Sequence, residues 1–240
     1  KIILKSKAKT IISYTSTIFI ICKYLESKKY ISKNKHLKNI ILTSESVTKT
    51  DIQLINKYLG LEVINEYGMA EAGVIGYSRY ETNNIQIFWD NYIIQSKNNK
   101  ILITTIWDKK FPLINYDPDD LVKIKYQYKT SIMSLKSIDG KKRNILKVPK
   151  INGGQLTIST IFFDHVLKFY PRIYSISYRQ LKNTFEIILV SDHKLNLMKI
   201  KKFFKKQCLK DNNEIDTSKI IFTQGSLEKT IAGKNNVLRN

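Results

Sequence analysis

Apolar side chains recur at helical spacing between Tyr14 and Leu25, through Ile18, Phe19, Ile21 and Cys22. A short apolar run from Asn39 to Leu42 then ends in Thr43-Ser44-Glu45-Ser46. This predicts a helix followed by a strand. The segment from Thr48 to Leu59 places Ile52, Leu54, Ile55 and Tyr58 on one side and stops at Gly60, which suits a helix C-terminus. Another strand, Leu61 to Asn65, follows it. Such alternation predicts an α/β sheet with ligands expected in the loops at the strand ends.

Between Asn84 and Leu135 the pattern shortens into β-rich runs: Ile85 to Trp89, Tyr92 to Ile94, Ile101 to Ile106, Leu121 to Tyr126 and Ser131 to Leu135. These read as antiparallel strands. A polar, Gly-containing stretch from Ile138 to Asn144 predicts a boundary between residues 1–139 and residues 140–240. Beyond it lie a predicted helix near Ser159 to Phe169 and strands near Ile173 to Tyr178 and Phe185 to Val190. A very basic helix, Leu195 to Leu209, and a strand, Lys219 to Thr223, complete a small α+β domain of about one hundred residues, a common domain size.

Composition excludes a disordered chain, since 42% of the residues are hydrophobic and 14 Tyr and 10 Phe are present. The net charge of +21 by itself suggests nucleic acid or an anionic membrane as partner. Only five of the 41 basic residues are Arg, however, and base and phosphate readers favour the planar Arg fork. Abundant Lys, Ile and Asn are also what an AT-biased coding sequence produces. A basic nucleic-acid-binding protein using Lys199 to Lys206 is thus the alternative reading. The solvated side of an amphipathic helix packed through Ile200, Phe203 and Phe204 accounts for the same residues.

Cys22 and Cys208 lie far apart, and His36, His165 and His193 have no partners at metal-ligand spacing, so the default is a reducing cytoplasm. The longest apolar stretch, Ile11 to Cys22, falls short of the roughly 20 residues a membrane-spanning helix needs.

Three strings carry candidate chemistry. The first, Asn65-Glu66-Tyr67-Gly68-Met69-Ala70-Glu71-Ala72-Gly73, leaves a strand and turns through glycines. The second, Phe111-Pro112-Leu113-Ile114-Asn115-Tyr116-Asp117-Pro118-Asp119-Asp120-Leu121, clusters acids at the entry to a strand. The third is Glu228-Lys229-Thr230-Ile231-Ala232-Gly233-Lys234. Each alone reads as ordinary turn or loop chemistry. In this order and at these separations they resemble the adenylate-forming superfamily of acyl-CoA ligases, most closely its phenylacetate-CoA ligase-like branch, from Tyr14 to Lys234.

The resemblance implies the C-terminal part of the large AMP-binding domain, built of α/β layers with an antiparallel β-rich subdomain and followed by a small mobile α+β domain. It implies activation of a small-molecule carboxylic acid by ATP as an acyl-adenylate, then transfer to a thiol, coenzyme A. Tyr67 and Gly68 then stand beside the adenine, Glu71 holds Mg²⁺, and Ala70 replaces a Thr whose hydroxyl contacts phosphate. Ser44 and Glu45 line the nucleotide pocket, and Ala72 to Gly76 border the acyl pocket. Asp120 accepts the ribose hydroxyls, a task suited to an acceptor-only carboxylate. Asn115 and Asp119 stand where Arg and Gly are usual, and Lys141 at the interdomain hinge keeps the charge of the usual Arg without its fork. Lys234 is the lysine that the small domain brings to the adenylation step. The family's phosphate loop precedes the first helix, and nothing from Lys1 to Tyr14 resembles it. With no initiator Met, the chain is expected to be an N-terminally truncated part of a longer enzyme, inactive alone, with a non-catalytic relative as the alternative.

Overall fold

The computed structural model describes residues 2–78, 84–97, 100–107, 110–129, 131–181, 184–211, 214–226 and 238–239. The elements begin with helix α1 (Ile2–Lys5), strand β1 (Thr10–Tyr14), helix α2 (Thr15–Ser27), strand β2 (Asn39–Thr43), helix α3 (Lys49–Leu59) and strands β3 (Glu62–Met69) and β4 (Gly73–Ser78). Strands β5 (Ile85–Ile87), β6 (Tyr92–Lys97), β7 (Lys100–Thr105), β8 (Asp120–Tyr128) and β9 (Ser131–Lys141) come next. After a 3₁₀ turn at Lys142–Asn144 come β10 (Ile145–Pro149), β11 (Gln155–Ser159), α4 (Thr160–Leu167), β12 (Ser175–Gln180), β13 (Phe185–Val190), α5 (Leu197–Asp211), β14 (Ile220–Gln224) and β15 (Leu238–Arg239).

These elements gather into two compact units. The first comprises Lys1–Ile18, Ile31–Val47 and Ile52–Arg143; the second comprises Phe19–Tyr30, Thr48–Asp51 and Asn144–Asn240.

The first unit holds a nine-stranded sheet in the order β1-β2-β3-β4-β5-β9-β8-β7-β6. β1, β2 and β3 run parallel, which the helices between them permit, because parallel neighbours need a long crossover. From β3 onward every neighbouring pair is antiparallel, as the short β-rich runs predict. β3 therefore marks a change of sheet character, and the first candidate string leaves from its C-terminal end. Alternation along the strands fills one face. Ile75, Ile94, Ile101, Ile103, Ile132 and Leu135 are fully buried there, around Tyr67 and Val122.

Gly60 ends α3 as its sequence position predicts. Its φ is +65°, and its N–H donates to the carbonyls of Ile55 at 3.1 Å and Asn56 at 3.2 Å, satisfying acceptors the helix leaves open.

The second unit packs α4 and α5 with a four-stranded sheet, order β14-β13-β12-β15, and the β10–β11 hairpin. Phe163, Tyr178, Phe185 and Phe204 form its aromatic centre, with ring centroids 5.3–6.0 Å apart. In α5, Ile200, Phe204 and Cys208 are buried while Lys199, Lys201, Lys202, Lys205 and Lys206 are exposed, so the lysines form the solvated side of a packed helix. No described helix is long and apolar enough to cross a membrane.

Strand β4 and the β10–β11 hairpin lack a sequence signal strong enough to be foreseen. The polar stretch from Ile138 also proves ordered as far as Lys141, because β9 keeps its ladder with β8 through Gly140↔Leu121 and Lys141↔Asp120. An antiparallel ladder uses backbone groups and tolerates polar side chains on a solvated face.

Candidate active site

The first string forms a hairpin. β3 carries a bulge between Tyr67 and Gly68, turns over Ala70 to Ala72, and returns as β4 from Gly73. Gly68 is required by close approach, since a Cβ there would stand 2.8 Å from the Gly73 carbonyl oxygen. The bulge aims Tyr67 into the apolar face, where it is 5% exposed and its hydroxyl donates to Asp120 Oδ2 at 3.0 Å. Asp120, the first residue of β8, is 8% exposed. Its other oxygen lies 3.3 Å from the Lys141 ammonium, which also donates to the Pro118 carbonyl at 2.8 Å. Burial, and then the Asp120 charge and hydrogen bond, pushes the ionisation of Tyr67 far above the ordinary tyrosine range. Tyr67 therefore stays a neutral hydrogen-bond donor to Asp120.

The second string answers the first. Tyr116 is fixed by reciprocal backbone hydrogen bonds with Ile103, both 2.9 Å, and its hydroxyl donates to Glu71 Oε1 at 3.2 Å. Burial and the Glu71 carboxylate raise the ionisation of Tyr116 as well. The two strings are thus joined by a crossed pair of contacts in which each supplies one tyrosine and one carboxylate. Glu71 is exposed, and among the described residues no Lys or Arg lies within ion-pair distance of it. Among the described residues its one side-chain hydrogen-bond partner is the Tyr116 phenol, which leaves its charge uncancelled. No group of three or more His, Cys, Asp or Glu able to hold a metal occurs among the described residues. A Mg²⁺ here would take one protein oxygen beside substrate phosphates, a common arrangement for that ion. Beside Glu71 opens a cleft of about 340 Å³ lined by Ala72, Gly73, Asn91, Tyr92, Thr105 and Trp107. Tyr92 donates to the Ala72 carbonyl at 2.5 Å and Trp107 Nε1 to the Asp90 carbonyl at 2.6 Å, which fixes both aromatic walls.

No family model and no curated protein matches the sequence. Solved structures do match. A 2-hydroxyisobutyryl-CoA ligase in the postadenylation state, in complex with R3-HIB-AMP, superposes with a TM-score of 0.74 at 12% identity, covering 98% of this chain and 55% of that one. An anthranilate CoA ligase in complex with anthranoyl-AMP gives 0.67 at 13% identity, covering 97% and 49%. The o-succinylbenzoate coenzyme A synthetase of Bacillus subtilis, in complex with AMP, gives 0.63 at 13% identity, covering 96% and 50%. The chain has the fold of the adenylate-forming CoA ligases. It spans about half the length of these structures.

Within this ligase fold the remaining predicted site residues are placed as follows. Ser44 is exposed just after β2 at φ +66°. Glu45 accepts from the backbone N–H and hydroxyl of Ser16 at 2.7 and 3.0 Å, so its carboxylate ties this loop to the first turn of α2. Ala70 is exposed in the hairpin turn. Asn115 and Asp119 both adopt positive φ, +51° and +65°. Lys234 and the whole third string, Glu228 to Lys234, lie outside the described residues. The structure therefore brings Tyr67, Gly68, Glu71, Asp120 and Lys141 together in the first unit, with Ser44 and Glu45 on the loop after β2. Sequence reasoning quoted Tyr116 in its string but gave it no role, and it missed Tyr92 and Trp107 as cleft walls. The one available signal for Tyr116 was its position next to the substituted Asn115.

Proposed function

We propose that the chain is part of an enzyme that activates a carboxylic acid with ATP as an acyl-adenylate and passes the acyl group to a thiol, coenzyme A. Its three strings resemble the phenylacetate-CoA ligase-like branch most closely. The crossed arrangement carries this reading. Residues 45 and 53 positions apart form two tyrosine–carboxylate contacts, one buried and paired to lysine, the other exposed and, among the described residues, without a lysine or arginine partner. Two carboxylates in such different surroundings suit two different tasks.

Asp120 keeps acceptor capacity. A carboxylate offers about four lone-pair sites, and Tyr67 and Lys141 occupy one on each oxygen, leaving room for two hydroxyl donors such as those of a ribose. Tyr67 and Lys141 hold the carboxylate's plane fixed, which lowers the ordering cost when a nucleotide arrives. Tyr67, being buried, contributes through its hydroxyl more than through an open ring face. Glu71 is exposed and, among the described residues, meets no ammonium, so it would hold a Mg²⁺ that supplies charge neutralisation for the ATP phosphates. Lys234 is assigned the role of easing the approach of one anion to another and stabilising the charge that builds on the α-phosphate. Removing such a group costs about 10²- to 10³-fold in rate. A division into residues 1–139 and a mobile 140–240, with Lys141 near the pivot, would let Lys234 serve the first step and withdraw for the second. The cytoplasm, where ATP and coenzyme A are abundant, is the matching compartment.

The test takes the full-length encoded protein, a panel of aryl and fatty acids, and pyrophosphate release as the signal. Release with at least one acid, lost in Asp120→Ala and reduced at least a hundredfold in Lys234→Ala, is expected. No release with any acid, together with no ATP binding, would sink the reading.

A further inference from the structure

We propose that Tyr116 is a positioning residue for Glu71, setting the carboxylate where a divalent cation on ATP can reach it. This rests on the nucleotide reading given above. Glu71 sits in a three-residue hairpin turn, exposed, on a side chain with three rotatable bonds, and nothing cationic among the described residues restrains it. Left alone, such a carboxylate samples many rotamers, and a metal would have to order it at an entropic cost. Tyr116 removes that cost. Its backbone is clamped to β7 through Ile103, its ring has only two torsions, and its hydroxyl reaches Oε1 at 3.2 Å. The neighbouring acids sharpen the assignment. Asp117 is engaged by the Lys100 ammonium at 2.6 Å, and Asp120 by Tyr67 and Lys141, whereas Glu71 meets a phenol and, among the described residues, no ammonium. A phenol orients a carboxylate without cancelling its charge. An ammonium in the same place would orient it too, but would compete with the metal.

A positioning role differs from a general structural one in what depends on metal. The comparison uses the full-length protein and its Tyr116→Phe variant, which keeps the ring and loses only the hydroxyl. Mn²⁺ binding in the presence of ATP is followed by electron paramagnetic resonance, and ATP binding in EDTA by calorimetry. The expected result is about tenfold weaker Mn²⁺ binding with ATP, in line with loss of a hydrogen bond to a charged group, and unchanged ATP binding in EDTA. Glu71→Gln, which retains the shape without the charge, should weaken Mn²⁺ binding at least as much. Equal Mn²⁺ binding by wild type and Tyr116→Phe overturns the proposal while leaving the ligase reading in place. Equal loss of ATP binding with and without metal also overturns it, since that marks a structural role. A wild type that binds no ATP at all overturns both.

Discussion

Lys141 lies directly across the β8–β9 ladder from Asp120, and its ammonium stands 3.3 Å from Asp120 Oδ1. The carboxylate side chain is 11% exposed and the lysine 37%, so the pair is asymmetric: the lysine meets water more freely than the aspartate. Replacing Lys141 by Met leaves a largely buried carboxylate that keeps the Tyr67 hydroxyl as a hydrogen-bond donor. A loss of about 1–2 kcal/mol in chemical denaturation is expected. Lys141→Arg keeps the charge and should recover more than half. A Met variant as stable as wild type would show that the pair contributes nothing.

Asp119 has φ +65°, at a position where the motif it resembles usually carries Gly. The backbone explains the usual glycine. A left-handed residue costs L-amino acids about 1–2 kcal/mol, and Asp is among the few that visit this region readily. Asp119 also receives the Lys142 N–H on its carbonyl at 2.9 Å, and its own N–H donates to Asp117 Oδ1 at 2.8 Å. Asp119→Gly is therefore expected to fall within about 0.5 kcal/mol of wild type, and Asp119→Val to lose about 1–2 kcal/mol. Urea midpoints of the two variants decide it. A Val variant matching Gly would remove the backbone explanation.

Much of this was legible in the sequence for a physical reason. Periodicity located α2, α3, α5 and β2 because each buries one regular face, β13 showed as a short apolar run buried on both faces, and Gly60 ended α3 because its backbone suits that position. Strand β4 was missed because Gly73 and Gly76 break its apolar pattern, and their purposes, the turn out of β3 at Gly73 (φ +75°) and the close approach of Gly76 to the Gln86 backbone of β5, are tertiary facts. The same limit applies at the site. Residue identity marked Glu71 and Asp120, but the crossing that joins Tyr67 to Asp120 and Tyr116 to Glu71 depends on the bulge and on strand order. Glu45 shows the converse, since its hydrogen bonds to the start of α2 have no local signature.

Alkaline pH should destabilise the protein. Burial, followed by the Asp51 carboxylate and opposed by Lys23, pushes the Cys22 thiol from its ordinary 9.0 up to about 12. Tyr178, buried with its hydroxyl on Asp164 at 2.6 Å, is also held well above its ordinary 10.0. Folded-state values above the unfolded ones mean that this stability is complete below pH 9 and declines as pH rises toward 12, because only the unfolded chain releases those protons. Urea midpoints should therefore fall between about pH 9 and pH 11, and fall less steeply in Tyr178→Phe. A constant midpoint across that range would contradict the assignment.

Asp51 and Lys168 form an enclosed ion pair in the second unit, with side chains 0% and 14% exposed. Lys168 reaches both carboxylate oxygens, at 3.1 and 3.0 Å, while the Thr48 N–H and hydroxyl donate to Oδ2 at 2.9 and 2.7 Å. Because Asp51 N–H returns to Thr48 Oγ1 at 3.2 Å, the aspartate also completes a reciprocal cap at the start of α3. Removing the two partners should not cost the same. Lys168→Met strands a fully buried charge and is expected to cost about 3–5 kcal/mol. Asp51→Asn leaves a lysine that can turn toward water and a side chain that still accepts from Thr48, so about 1–2 kcal/mol is expected. The double variant should cost less than the sum, since a neutral amide in place of the carboxylate leaves no buried charge for the lost ammonium to balance. Denaturant titrations of the three variants give the cycle directly. Additive losses would show that the two residues act independently despite their contact.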